Sequence, residues 1–205
     1  INSNPVYTDL SQVLQYVPNV LSLQVVLSPE KEIVQCKAGP ILETQNQLIP
    51  HVRELYGVSS STKADIVIAS AGGFPADVNL IQAHKSIRHA GHVTRENGML
   101  IFFAQCVDGI GSNTFLPYFK HESAQKIGEK LASEFQINGQ TALSLRDLAE
   151  RINIIFISDL EASIIRQIGM TPCRKWEEAT KFISEKLGDF QRGVVMPEAA
   201  TTVPL

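Results

Sequence analysis

Gln82 and Lys85 stand three residues apart in a stretch of helical character, Asn79 to His89, so the spacing puts an amide and a cation on one face. That pair suits a small carboxylate or hydroxy acid: the ammonium answers a charge, and the amide offers a donor and an acceptor. Just ahead of the helix, Gly72 and Gly73 sit in the loop Ala71 to Val78, where glycine permits backbone conformations closed to other residues. A helix start there would present unpaired N–H groups and a positive dipole end to an anion. The loop carries neither a GxGxxG fingerprint nor a GK[ST] phosphate loop. Residue types alone also allow a plain strand-to-helix connection followed by a solvated helix face.

Other chemistries find less support. His84, His89 and His92 cluster, yet the five residues from His84 to His89 turn a helix by about 140° past a full turn. His92 follows Gly91, outside the helical stretch, and no HExxH occurs. A surface histidine cluster at the helix end, favoured by the dipole, is the expectation there, not a metal site. Cys36, Cys106 and Cys173 are odd in number, far apart and outside any CxxC, so buried free thiols in a reducing cytosol are expected. Cys106 follows a buried strand, but with no activating base in view it reads as inert. No GxSxG nucleophile motif is present.

The elements that must position these residues show in the hydrophobic pattern. Asp65–Ser70, Gly98–Ala104 and Ile152–Ile157 are continuous apolar runs of strand length, as in strands covered on both faces. Helical patterns fall between and after them: Asn79–His89, Glu122–Phe135, Leu143–Glu150 with Ser144 or Thr141 as caps, and Glu161–Ile168. Arg174–Leu187 places Trp176, Ala179, Ile183 and Leu187 on one stripe, and Val194–Met196 reads as a fourth short strand. Strands alternating with helices imply an α/β fold, a mostly parallel sheet with helices on both faces. Ligands bind outside the carboxyl ends of such strands, where the loops Ala71–Val78 and Gln105–Ser112 and the segment Met196–Leu205 fall. Ahead of the sheet come a helix from Asp9 to Tyr16 stopped at Pro18, a β-hairpin of Val20–Leu27 and Glu32–Ala38, and a helix from Ile41 to Tyr56 kinked or divided at Pro50. The expectation is a single domain over residues 1–205, with a hairpin and helix portion (1–63) and an α/β core (64–205).

Composition bounds the rest. Of 205 residues, 44% are hydrophobic and 19% charged, which excludes disorder and suits a well-buried core. With 18 basic against 21 acidic residues the net charge is −3, so no nucleic-acid partner is expected. No stretch approaches the ~20 apolar residues of a membrane span, and the first residues lack a signal peptide's basic and apolar regions. A cytoplasmic protein without a membrane partner is expected. The chain opens on Ile1, not methionine, and is read as a piece of a longer protein.

The string Ala69-Ser70-Ala71-Gly72-Gly73-Phe74-Pro75-Ala76-Asp77-Val78-Asn79-Leu80-Ile81-Gln82-Ala83-His84-Lys85 resembles the hallmark of the lactate racemase family, close to S-x-G-G-[YF]-P-x-D-x-N-L-x-Q-A-x-K. The run Leu100–Ala104 followed by Gln105-Cys106-Val107-Asp108-Gly109-Ile110-Gly111 is similar to the family's next block, and Val195–Pro204 resembles its closing strand and loop. Two departures stand out: Gln105 where an acid is common, and Phe74 where tyrosine is frequent. The resemblance implies the second domain of a two-domain 2-hydroxy-acid racemase or epimerase that uses a nickel-pincer nucleotide. It implies hydride removal from the 2-hydroxy carbon and return to the other face, through a 2-oxo species. The family's cofactor-holding lysine and histidines lie in its first domain, which would be this chain's partner. By motif position Lys85 becomes the candidate catalytic residue, steadying the carboxylate or a developing oxyanion of a small 2-hydroxy acid. Gln82, Lys85, Gly72 and Gly73 become candidate substrate-binding residues. No metal, no cofactor and no activity are expected of this chain alone. A small-anion or carboxylate-binding domain without catalysis is the alternative.

Overall fold

Alternate residues of the apolar runs point to opposite faces of one parallel sheet, and each face has its own helices. The structure, a computed structural model, describes residues 4–17, 19–59, 62–120, 123–186 and 191–205. The chain divides into two compact units, residues 1–57 and 58–205.

In the first unit, helix α1 (Pro5–Gln12) continues into a 3-10 turn, Val13–Gln15. It begins before the expected Asp9 because the Asn4 side chain caps it, accepting from the Val6 and Tyr7 N–H groups, and Pro5 takes the first turn. Pro18, expected to stop it, lies outside the described residues. Strands β1 (Leu21–Leu27) and β2 (Ile33–Pro40) form the anticipated antiparallel hairpin. Helix α2 (Ile41–Tyr56) is one uninterrupted helix with Pro50 inside it, not a divided pair. The two-residue strand β3 (Gly57–Val58) follows.

The second unit holds β4 (Ala64–Ser70), α3 (Leu80–Val93), β5 (Thr94–Phe103), α4 (Ala124–Ser133), α5 (Gly139–Arg151), β6 (Asn153–Ile157), α6 (Ala162–Ile168), β7 (Thr171–Cys173), α7 (Trp176–Lys186), β8 (Gly193–Met196) and β9 (Val203–Pro204). Five of its strands form one sheet in the order β7-β6-β5-β4-β8, and every pairing in it is parallel. The expected α/β class holds, and the expected strands β4, β5 and β6 lie side by side at its centre.

Val67, Ala69, Leu100, Phe102, Ile154 and Phe156 face the larger core, which also holds buried residues of α3, α5 and α6. Ile66, Met99, Ile101 and Ile155 face the smaller one, closed by Ala179, Phe182 and Ile183 of α7. Trp176 begins the stripe expected on that helix and stacks on Phe103, ring centroids 6.1 Å apart, while Leu187 lies outside the described residues. At the start of β8, the Gln191 and Arg192 N–H groups donate to the Asp65 carboxylate at 3.1 and 2.9 Å. Arg95 binds the same carboxylate and, with those bonds, holds it below the usual range.

Boundaries differ where tertiary contacts replace local signals. α4 begins at Ala124, where the Ser123 hydroxyl caps it by accepting from the Lys126 N–H at 3.3 Å; Glu122, its expected start, lies outside the described residues. α5 begins at Gly139, so neither Thr141 nor Ser144 caps it; Asn138 stands at the cap in a left-handed conformation, its side chain donating to the Ser112 hydroxyl at 2.8 Å rather than capping the helix. α3 runs to Val93, which brings His92 inside its last turn. β7 has no counterpart among the expected strands: it is three residues long and contains Pro172, which is tolerated because β7 is an edge strand.

Candidate functional site

The strand β4 delivers the chain to a tight loop whose backbone needs glycine. Gly72 and Gly73 have φ of +90° and +82°, the left-handed region that side chains disfavour. The Gly72 N–H donates to the Ser70 hydroxyl at 3.0 Å, and the peptide before Pro75 is cis. Asp77 then joins this loop to the next: its carbonyl accepts from the Cys106 N–H at 2.8 Å, and its carboxylate from the Gln105 N–H at 3.3 Å.

The start of α3 is closed by this chain's own groups. The Asn79 side chain accepts from the Gln82 N–H at 3.0 Å, while the Leu80 and Ile81 N–H groups donate to the Gly109 and Ile110 carbonyls at 3.0 and 3.1 Å. The first three N–H groups thus already have partners, so this helix start is not the anion site that its glycine loop also allowed. Gly111 makes that closure possible: a Cβ there would lie 2.5 Å from Asn79 Cγ, and its φ is +85°. Replacing Asn79 by alanine should cost about 0.5–2 kcal/mol of stability, read by denaturant unfolding, because the Gln82 N–H loses its acceptor. An unchanged midpoint would show that the loop alone holds this helix end.

Gln82 and Lys85 project from the exposed face of α3, opposite the buried Ala83, Ile87 and Ala90. The Lys85 ammonium donates to Gln82 Oε1 at 3.0 Å, so the two sequence-selected side chains are joined. That bond engages the amide oxygen and leaves the NH2 group and the remaining ammonium protons as donors. Gly73 belongs instead to a cavity of about 270 Å³ at the carboxyl ends of β4 to β7, with Asp77, Gln105, Ser158, Asp159 and Arg174 in its wall. Neither Gln82 nor Lys85 lines it. The Arg174 guanidinium donates to the Ser158 carbonyl at 2.7 Å and stands 3.8 Å from Asp159. Sequence reasoning missed Arg174 in this wall, because β7, the strand it follows, is too short to be read.

The histidines do not converge. His89 Nδ1 donates to the Ala199 carbonyl at 2.7 Å, tying the closing segment to α3, and the Ala199 N–H donates to the Ser70 carbonyl at 2.9 Å. Among the described residues, no group of three or more His, Cys, Asp or Glu could hold a metal ion, so the residues present do not fit a nickel centre and no metal step is assigned to them. Burial, then Arg88 and Lys85, pushes the His84 imidazole down to about 4, and its Nε2 is buried without a partner among the described residues. The unfolded chain binds that proton near 6.5 and the folded chain only near 4, so stability should fall as pH drops from about 6.5 to 4, by at most about 1.4 kcal/mol per unit. Unfolding curves across that range test it, with His84→Gln flattening the slope; an equal slope in that variant would clear His84.

Cys106 and Cys173 are buried as expected, whereas Cys36 is exposed, a correction that follows from its place on the outer face of the hairpin. Burial pushes the Cys106 thiol up to about 11, which supports its reading as inert. No described helix is long and apolar enough to cross a membrane.

Comparison with known proteins bears on the whole of this arrangement. The model of the lactate racemase C-terminal domain family matches residues 59–203. The chain is 25% identical over 209 residues to a lactate racemase of Thermoanaerobacterium thermosaccharolyticum, covering 99% of this chain and 49% of that protein. It is 26% identical over 205 residues to one of Lactiplantibacillus plantarum, covering 95% and 47%. The chain thus spans about half the length of the curated relatives it matches. In fold it is similar to the lactate racemase apoprotein of T. thermosaccharolyticum, with a TM-score of 0.91, 24% identity, and coverage of 100% of this chain and 50% of that one. A crystallised protein from Thermotoga maritima has a TM-score of 0.62 at 10% identity, covering 98% and 52%.

Proposed function

Since the chain belongs to the lactate racemase C-terminal domain family, we propose that it supplies the substrate-facing half of a two-domain 2-hydroxy-acid racemase or epimerase, working in the cytoplasm. The observation that carries this reading is the Gln82–Lys85 pair, bonded at 3.0 Å on an exposed helix face. A cation and an amide held in fixed relation there match the carboxylate and hydroxyl of a small 2-hydroxy acid. We place the nickel-pincer nucleotide and the proton-moving histidines on the preceding half of the protein.

In this reading the Lys85 ammonium takes the substrate carboxylate and opposes charge that grows on the 2-oxygen. Gln82 orients the lysine through Oε1 and offers its NH2 group to the substrate. Gly72 and Gly73 let the loop backbone run close to the ligand without a side chain in the way. Closing the two halves over this face excludes water and strengthens each of those contacts.

Gln82→Ala in the full-length protein should cost ~0.5–1.5 kcal/mol of transition-state binding, roughly 2- to 13-fold in kcat/KM. Steady-state kinetics beside wild type check it, and a loss above that of Lys85→Ala would reverse the roles of the amide and the cation. The function itself is tested by nickel analysis and chiral chromatography of the full-length protein with single enantiomers of a panel of 2-hydroxy acids. Formation of the opposite enantiomer, absent with the 205-residue chain alone, is expected. A nickel-loaded full-length protein that racemises none of the panel would overturn the reading and leave a carboxylate-binding domain.

A further inference from the structure

The hairpin of the first unit is amphipathic in the opposite sense to a normal surface sheet. Its inner face, toward α2, is largely polar: Gln24 Nε2 donates to Thr44 Oγ1 at 2.7 Å and to the Ile41 carbonyl at 3.0 Å, and the Ser22 hydroxyl lies 2.9 Å from Thr44 Oγ1. Apart from Val26, which is buried on this inner face, the apolar residues of β1 point the other way. Leu21, Leu23, Val25 and Leu27 alternate along β1 on the outer face, all exposed, Leu21 to 76% and Leu23 to 73%. Ile33 pairs with Leu27 and Cys36 with Val25 in the antiparallel register, and both are exposed too. Single exposed leucines are ordinary, but a whole exposed sheet face backed by hydrogen-bonded polar residues marks a surface built to be covered.

We propose that this face docks against the half of the protein that precedes this chain, so that residues 1–57 pack as part of the cofactor-side domain rather than of the family's C-terminal domain. The inference rests on the two-domain reading above. Three observations support it. The family match begins at residue 59, just past the boundary between the two units, and leaves the hairpin out. The relatives nevertheless match over 99% and 95% of this chain, so the hairpin has a counterpart in them. Half of each relative's length remains to cover it. A two-stranded hairpin is at best marginal in water and needs packing on a face to persist; α2 covers only the polar face.

Cys36 is a built-in reporter. It sits on the outer face, exposed, while Cys106 and Cys173 are buried with thiols pushed up by desolvation, so a maleimide labels Cys36 first. In the 205-residue chain its labelling should be fast at every protein concentration. In the full-length protein it should slow by about tenfold or more, since the thiol then waits for local opening. Leu21→Ser combined with Leu23→Ser should restore the fast rate there, and should leave the melting temperature of the 205-residue chain unchanged because both side chains are already solvated. Equal rates in the chain and the full-length protein would overturn the proposal. Protection that grows with concentration of the chain alone would also overturn it, giving the face to a second copy. Racemisation is read separately: an active racemase with unprotected Cys36 keeps the proposed function and loses this inference, and protection without racemisation does the reverse.

Discussion

Lys85→Ala in the full-length protein should lower kcat/KM by roughly 10- to 200-fold, the loss of a charge-assisted contact worth ~1.5–3 kcal/mol. The effect is expected on activity alone. Lys85 is exposed on the outer face of α3, where its ammonium bonds the neighbouring Gln82 amide, so stability should change by less than about 0.5 kcal/mol. Lys85→Arg should recover only part of the loss, because a planar fork does not reproduce a point charge on a flexible stem. Kinetics and melting temperature measured on the same variant separate the two effects. A fully active Lys85→Ala protein would make this lysine an ordinary solvated residue, and one that merely unfolds would make it a structural one.

Phe102→Ala should have the largest effect on the fold itself. Phe102 is fully buried on β5, the middle strand of the five, and its ring lies 5.6 Å from that of Phe156 on β6. Removing a buried phenyl group costs about 3–5 kcal/mol in transfer and cavity terms. Against a net stability of about 5–15 kcal/mol, that is a large fraction. For a chain of this size it corresponds to a melting temperature lower by roughly 6–20 °C. A fall of under about 1 kcal/mol in denaturant unfolding would mean that the sheet centre collapses around the gap, and that its packing is looser than the buried rings imply.

Much of the sheet is legible in the sequence because β4, β5 and β6 are buried on both faces, and burial writes itself as unbroken apolar runs such as Ile66–Ala69 and Leu100–Phe103. β7 is not legible, since three residues with a proline carry no period, and its fifth-strand position depends on pairing with β6. The start of α5 escapes the sequence for a related reason. Gly139 is packed so tightly that a Cβ would lie 2.3 Å from Leu131 and 2.7 Å from the Tyr118 ring, a tertiary constraint that outweighs the local cap signals of Thr141 and Ser144. At the site, the i,i+3 spacing of Gln82 and Lys85 is sufficient to join them. The closure of the α3 start cannot be read that way, because its partners Gly109 and Ile110 arrive from a loop some thirty residues away. The outward apolar face of the hairpin is invisible for yet another reason: alternation shows that β1 has two faces, but not which one meets α2.

The proposed function turns on Lys85 meeting the carboxylate of a 2-hydroxy acid. Amine-selective acetylation of the cofactor-loaded full-length protein, followed residue by residue by mass spectrometry with and without saturating substrate, reads that contact directly. Substrate should slow acetylation of Lys85 while leaving Lys63, Lys175 and Lys181 unchanged. Equal acetylation of Lys85 with and without a substrate that the protein demonstrably turns over would contradict that role.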